Sequence, residues 1–203
     1  MENIKDSIEN IFDQHNQIKP FLKKNITVNE TEDQLDIIIK MGFTFKNLEQ
    51  NYKNMITECL NNIDKKINIS LELDVVSHKT QGTTQSIKNV KNIIAVASGK
   101  GGVGKSTVAC NLSIALHQLG ARVGILDADI YGPSQPLMFG ANKKPESRDG
   151  KSMEPIISHG IQTMSIGYLI DPDTPVVWRG PMVTNTLQQL LNETNWDNLD
   201  YLI

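Results

Sequence analysis

One short run constrains this chain more than any other feature: Gly99-Lys100-Gly101-Gly102-Val103-Gly104-Lys105-Ser106-Thr107, which satisfies G-x-x-x-x-G-K-[ST]. It lies between a continuous apolar segment, Ile93–Ala97, and an amphipathic one that begins at Lys105. A buried parallel strand that turns through glycines into a helix is the setting in which such a loop has a physical purpose. Glycines let successive backbone N–H groups turn inward as an anion nest, and the helix N-terminus reinforces it. Nucleotide contacts are therefore expected over Gly99, Lys100, Gly101, Gly102, Val103, Gly104, Lys105, Ser106 and Thr107. Lys105 is expected to reach the β- and γ-phosphates, the Ser106 hydroxyl to ligate Mg²⁺, and Thr107 to donate to the α-phosphate. The bland alternative is a glycine-rich turn that only caps a helix.

Lys100 is unusual, because an ordinary loop of this kind has no second lysine directly after its first glycine. It could face the phosphates, reach a nucleotide held by another copy of the chain, or simply be solvated. Asp127-Ala128-Asp129 follows the next apolar run, Val123–Leu126, at the strand end where open parallel sheets place ligands. One carboxylate could hold the Mg²⁺ water shell and the other could position the attacking water.

The spacing predicts a helix from Lys105 to about Leu119, with Val108, Leu112, Ala115, Leu116 and Leu119 inward and Gly120 as its stop. Strand, helix and strand in so short a stretch make a right-handed βαβ unit, hence a doubly wound α/β domain. Ile161–Ile166 reads as a further strand, Met182–Leu191 as a helix, and Tyr201–Ile203 as the start of another strand. Because that strand would stop after three residues, this second domain, 93–203, is expected to be incomplete.

The first 78 residues form a small α/β unit of their own. Ile4, Ile8, Ile11 and Phe12 recur at helical spacing, and Gln34–Met41 reads as a strand. Phe45–Ile63 is predicted as a helix with Leu48, Tyr52, Met55, Ile56, Cys59, Leu60 and Ile63 on one face. Lys66–Val76 alternates as a half-buried strand. Residues 79–92 have the composition of a linker.

Charge and cysteine content narrow the partners. The net charge is −3 in 203 residues, with no basic excess in either half, so no nucleic-acid partner is expected. No run is apolar enough for a membrane span, and the acidic, polar N-terminus is no secretory signal. Two cysteines, Cys59 and Cys110, make neither a disulfide framework nor a complete metal site, and both are expected to be small core residues. His15, His78, His117 and His159 are too dispersed for a metal site. Asn142–Lys151 reads as a charged surface loop without a basic patch. A cytoplasmic location follows as the expectation.

Val96–Thr107 resembles the deviant Walker A loop of the MinD/ParA/nitrogenase-reductase ATPases. Gly124–Pro136, with Asp127-Ala128-Asp129-Ile130-Tyr131-Gly132-Pro133-Ser134, and Val177-Trp178-Arg179-Gly180-Pro181-Met182-Val183 narrow the resemblance to the Mrp/ApbC family of iron–sulfur cluster carriers, related to the Nbp-type scaffolds. It runs nearly continuously from Val90 to Ile203. The resemblance implies that Lys100 is the signature lysine contacting nucleotide across a dimer, and that Lys105, Ser106 and Thr107 are phosphate and Mg²⁺ ligands. It also implies that Asp129 is the switch aspartate of hydrolysis, with Asp127 on the metal side. Lys100, Lys105 and Asp129 are then the catalytic set, and Ser106 and Asp127 the Mg²⁺ set. Arg179 reads either as an arginine finger or as a structural arginine beside Trp178. The first unit is similar, in its order helix, strand, helix, strand, to the small MIP18-type (DUF59) domain, although it lacks that domain's Asp-Pro turn after the first helix.

The function the resemblance implies is an ATP-binding, slowly hydrolysing homodimer that delivers [4Fe–4S] clusters to apo-proteins together with cluster-assembly factors. The family's C-x-x-C pair and Walker B segment are not in this sequence, so no cluster ligand is expected in this chain and a C-terminal truncation is expected. Two other readings stand beside it. A MinD/ParA-type positioning ATPase would need an amphipathic terminus or a basic surface. A truncated, non-enzymatic binding module would act through its first domain alone.

Overall fold

The computed structural model describes residues 2–12, 25–78, 86–170 and 180–203. They fall into two compact units, Met1–Val76 and Ser77–Ile203.

In the first unit, α1 (Glu2–Ile11) precedes β1 (Ile26–Glu30) and β2 (Gln34–Met41), and α2 (Glu49–Cys59) leads into β3 (Lys66–Leu73). The sheet order is β1-β2-β3, with β1 antiparallel and β3 parallel to β2. Ile8 and Phe12 of the first helical segment and Tyr52 and Ile56 of α2 share one core with Ile26, Val28, Leu35, Ile37 and Ile39. The rings of Phe12 and Tyr52 stand 5.5 Å apart. β1 was not anticipated, because only Ile26 and Val28 alternate there; their pairing with Ile39 and Ile37 decides the strand.

α2 is shorter than its periodicity suggests. Lys46–Leu48 is a 3-10 turn, and the α-helix ends at Cys59. Cys59 is exposed, against the expectation that it is a core residue, and its thiol lies 3.8 Å from the Ser7 carbonyl. The buried stripe narrows to Tyr52, Ile56 and Leu60, one helical turn apart, which leaves Cys59 at the stripe's margin.

The second unit runs β4 (Val90–Ile93), α3 (Lys105–Gln118), β5 (Val123–Asp127), α4 (Gln135–Met138), β6 (Ile156–Ser158), β7 (Ile161–Ser165), α5 (Gly180–Asn192) and β8 (Leu199–Leu202). Its sheet order is β4-β8-β5-β7-β6, parallel throughout except for the β6–β7 hairpin. The hairpin turns through His159 (φ 50°) and Gly160 (φ 77°), the positive pair that a two-residue hairpin turn requires. The α/β class with a parallel-strand sheet is as expected.

Three local expectations change. The first strand is Val90–Ile93 rather than Ile93–Ala97: Val90, Asn92 and Ile93 pair with Leu199, Tyr201 and Leu202, and the Ile94 N–H donates to the Leu202 carbonyl. Residues 90–92, read as linker, therefore belong to the sheet, and Ser77 and His78 bond to Lys91 and Asn92. The remainder of the linker, 79–85, lies outside the described residues.

Finally, α3 presents a different face from the expected one. Val108 is 56% exposed and Ala115 is exposed, whereas Cys110 and Ser113 are buried. Small side chains at positions 110 and 113 let the helix approach the sheet, and the Ser113 hydroxyl is satisfied by the Ala109 carbonyl. A periodicity built on large apolar residues misses such a face.

β8 is an interior strand of the sheet, with Leu199 and Leu202 buried between β4 and β5. It needs Gly124 opposite: a Cβ there would come 2.5 Å from Leu199 Cδ1 and 3.2 Å from the Trp196 ring.

Candidate functional site at the glycine-rich loop

The loop leaves the C-terminal end of the β4 segment and ends in Gly104, the left-handed N-cap of α3 (φ 90°). Gly102 also has positive φ (74°), so both positions favour glycine. No atom approaches within 4 Å of the positions a Cβ would take at Gly99, Gly101, Gly102 or Gly104, so the loop's surface is open. The Ser98 hydroxyl donates to the Lys100 carbonyl at 3.0 Å and stabilises the entry to the loop.

Two elements bring the charged groups together. Lys105 opens α3, which follows β4, while Asp127 ends β5, two positions from β4 in the sheet, and Asp129 lies just beyond it. Lys105 Nζ lies 3.4 Å from Asp129 Oδ2, and both side chains are about one-third exposed (34% and 39%). Asp129 Oδ1 also accepts the Gly132 N–H at 3.1 Å.

Asp127 is buried and serves as the hub of the following loop. Its Oδ1 accepts the Asp129 N–H at 3.2 Å. Its Oδ2 accepts the N–H groups of Ser134 and Gln135 at 2.9 and 3.0 Å, and the Ser165 hydroxyl at 3.3 Å. Gly167 closes the packing, since a Cβ there would meet Pro136 and Pro133 at 3.0 and 3.1 Å.

Lys105, Ser106, Asp127 and Asp129 line a cavity of about 510 Å³, whose apolar wall includes Ile94, Val96, Val183 and Leu202. The hydroxyl of Ser106 and the two carboxylates are hard oxygen donors. Among the described residues no group of three or more His, Cys, Asp or Glu could hold a metal alone. That donor set fits Mg²⁺, which takes one or two protein ligands and completes its shell with phosphate and water.

Lys100 and Thr107 are exposed and stand outside the cavity wall. Trp178 and Arg179 lie outside the described residues, as does His15; Gly180–Val183 begins α5. The other histidines do not form a cluster: His78 bonds Asn92, and His117 bonds the Ala121 carbonyl beside Gly160. Cys110 is buried, and burial pushes its thiol up.

Sequence reasoning overlooked Gln135, Ser165 and Gly167. The only local signal was the bracketing of Gln135 by Pro133 and Pro136; its partners come from elsewhere in the chain.

A family model described as the NUBPL iron-transfer P-loop NTPase matches residues 89–203, more than half of the chain. The chain belongs to this family. Among curated relatives of this NTPase family, the iron–sulfur cluster carrier protein of Pseudomonas fragi is 52% identical over 153 residues, 73% of this chain and 53% of its own. The Escherichia coli K12 protein of the same name is 46% identical over 194 residues, 91% of this chain and 53% of its own. The Haemophilus influenzae protein is 43% identical and aligns over 94% of this chain and 56% of its own. The chain thus spans about half the length of the curated relatives it matches. A nucleotide-binding protein from Archaeoglobus fulgidus, solved with ADP, is 39% identical with a TM-score of 0.47, covering 56% of this chain and 43% of that one. No described helix is long and apolar enough to cross a membrane.

Proposed function

We propose that this chain binds ATP with Mg²⁺ on Gly99–Thr107, hydrolyses it slowly, and uses the nucleotide to switch a cytoplasmic homodimer that carries [4Fe–4S] clusters to apo-proteins. The observation that carries the reading is the meeting of Lys105 and Asp129 at the cavity mouth, 3.4 Å apart. Membership of the iron-transfer NTPase family and the curated names of the relatives support the cluster as cargo.

The chemistry follows from the charges. Backbone N–H groups of the loop and the α3 N-terminus hold the phosphates, and Lys105 neutralises the β- and γ-oxygens. An arriving phosphate competes with Asp129 for the Lys105 ammonium and frees that carboxylate to orient a water. The water attacks the γ-phosphorus, the bond to the ADP oxygen breaks, and the water's proton passes to the released phosphate. Ser106 and Asp127 would hold Mg²⁺, which when bound would neutralise charge on the phosphates. Lys100 extends from the loop to the nucleotide of the second copy. Neither Cys59 nor Cys110 is assigned to the cluster.

Calorimetric titration of ATP–Mg²⁺ tests the site. Lys105→Ala is expected to abolish binding, while Asp129→Ala keeps binding and loses phosphate release. An Asp129→Ala protein that hydrolyses ATP at the unmodified rate would remove the assigned role.

A further inference from the structure

Gln135 is the most deeply placed polar side chain beside the cavity whose role the reaction leaves unassigned. It is 3% exposed and belongs to the cavity wall. Its side-chain Nε2 donates to the Ser106 carbonyl at 3.1 Å, and its backbone N–H donates to Asp127 Oδ2 at 3.0 Å. One residue therefore bonds to both members of the proposed Mg²⁺ set, which come from different elements. Its Oε1 is buried without a hydrogen-bond partner among the described residues. A buried amide oxygen is costly to leave unpaired. An apolar side chain of similar size would fill the space without that cost, so packing alone does not account for a glutamine here.

We propose that Gln135 is a positioning residue that sets the register between Ser106 and Asp127, and so controls how far Mg²⁺ tightens nucleotide binding. This rests on the nucleotide reading above. The loop N–H groups and Lys105 bind phosphate without needing that register; the metal-dependent part of the affinity does need it. Gln135 touches neither phosphate nor the reacting atoms, and it acts through Ser106 and Asp127.

The test measures ADP affinity of the full chain by calorimetry, with Mg²⁺ and with EDTA. Gln135→Met keeps the side-chain length and the backbone N–H bond to Asp127, and removes the side-chain amide that bonds the Ser106 carbonyl. It is expected to reduce the Mg²⁺-dependent tightening by about fivefold or more, the loss of roughly one hydrogen bond, and to leave the EDTA affinity within about twofold. Equal losses with and without Mg²⁺ would mean general damage to the loop and overturn the proposal, as would no change. If the unmodified chain binds no ADP, the nucleotide reading fails and this proposal with it. A second measurement needs no variant: the Gln135 side-chain amide resonances of the unmodified chain should move on adding Mg²⁺ to the ADP complex but much less on adding ADP in EDTA. Resonances that do not respond to Mg²⁺ would overturn the proposal even if the variant fails to fold.

Discussion

Two carboxylate–cation clusters stand at opposite ends of the five-stranded sheet, and they are built to different physical ends. At the C-terminal ends of the strands, Lys105 and Asp129 meet at 3.4 Å with both side chains about one-third exposed. At the N-terminal ends, Asp200 of β8 is 2% exposed. It accepts from Arg122 through the backbone N–H, Nε and Nη2 at 3.0, 3.1 and 2.9 Å, and pairs with Lys91 at 3.2 Å. The second cluster is saturated with donors and locks three strands together. The first is sparse and partly exposed, which suits the proposed exchange of Asp129 for an incoming phosphate. The difference lies in the carboxylates: Asp200 is buried and bonded several ways, whereas Asp129 is about one-third exposed, as a proposed exchange of partner would require.

The sharpest way to break this contrast is Asp200→Asn. The substitution removes the buried carboxylate acceptor while Arg122 and Lys91 keep contact with solvent, and the expected loss is about 2 kcal/mol, that of hydrogen bonds to a charged group, read from chemical denaturation. Nucleotide affinity of the folded fraction should be unchanged. A loss below about 1 kcal/mol would place Asp200 in the same class as the exposed pair.

Acid titration sharpens the same point. Burial alone would push the Asp200 carboxyl up, but the hydrogen bonds from Arg122 and Lys91 outweigh it and hold the group below the usual carboxylate range. Its stabilisation is therefore complete above the unfolded value of about 4 and is lost as pH falls through the lower folded value. Melting temperatures of the unmodified chain and of Asp200→Asn should converge in that acid range and diverge toward neutrality. Parallel curves would contradict the assignment.

At the other end of the sheet, Asp129→Asn should cost about 0.5 kcal/mol or less, as exposed pairs do, by the same denaturation measurement. Smallest of all, Cys59→Ser on the exposed margin of α2 should fall within about 0.5 kcal/mol of neutral. A larger loss would return Cys59 to the core.

The degree to which each part was legible follows from where its partners sit. Gly99–Thr107 was readable because the loop is made by backbone: two positive-φ glycines, a helix start and a lysine at fixed spacing are local properties. Gln34–Met41 was readable because the β-branched run Ile37-Ile38-Ile39 between polar residues is a local strand signal; it emerged with the bounds expected. Asp127 was found as a charge at a strand end, but its service as hub to Ser134, Gln135 and Ser165 was not, because those donors come from loops that periodicity does not order. The face of α3 was misjudged for a related reason. Its close approach to the sheet depends on Cys110 and Ser113, whose value lies in being small beside a particular neighbour.

The sequence by itself determined the α/β class, the glycine-rich loop, the positions of Lys105 and Asp129 and the resemblance to iron–sulfur cluster carriers, since each is written in contiguous residues with their own spacing. Only the tertiary structure decided that β8 runs between β4 and β5 in the second sheet, that Asp200 is buried against Arg122 and Lys91, and that Gln135 bonds both Ser106 and Asp127. Those are pairings between residues far apart in the chain. Their energy depends on burial and on a partner's exact distance, and neither is a property of any local stretch of sequence.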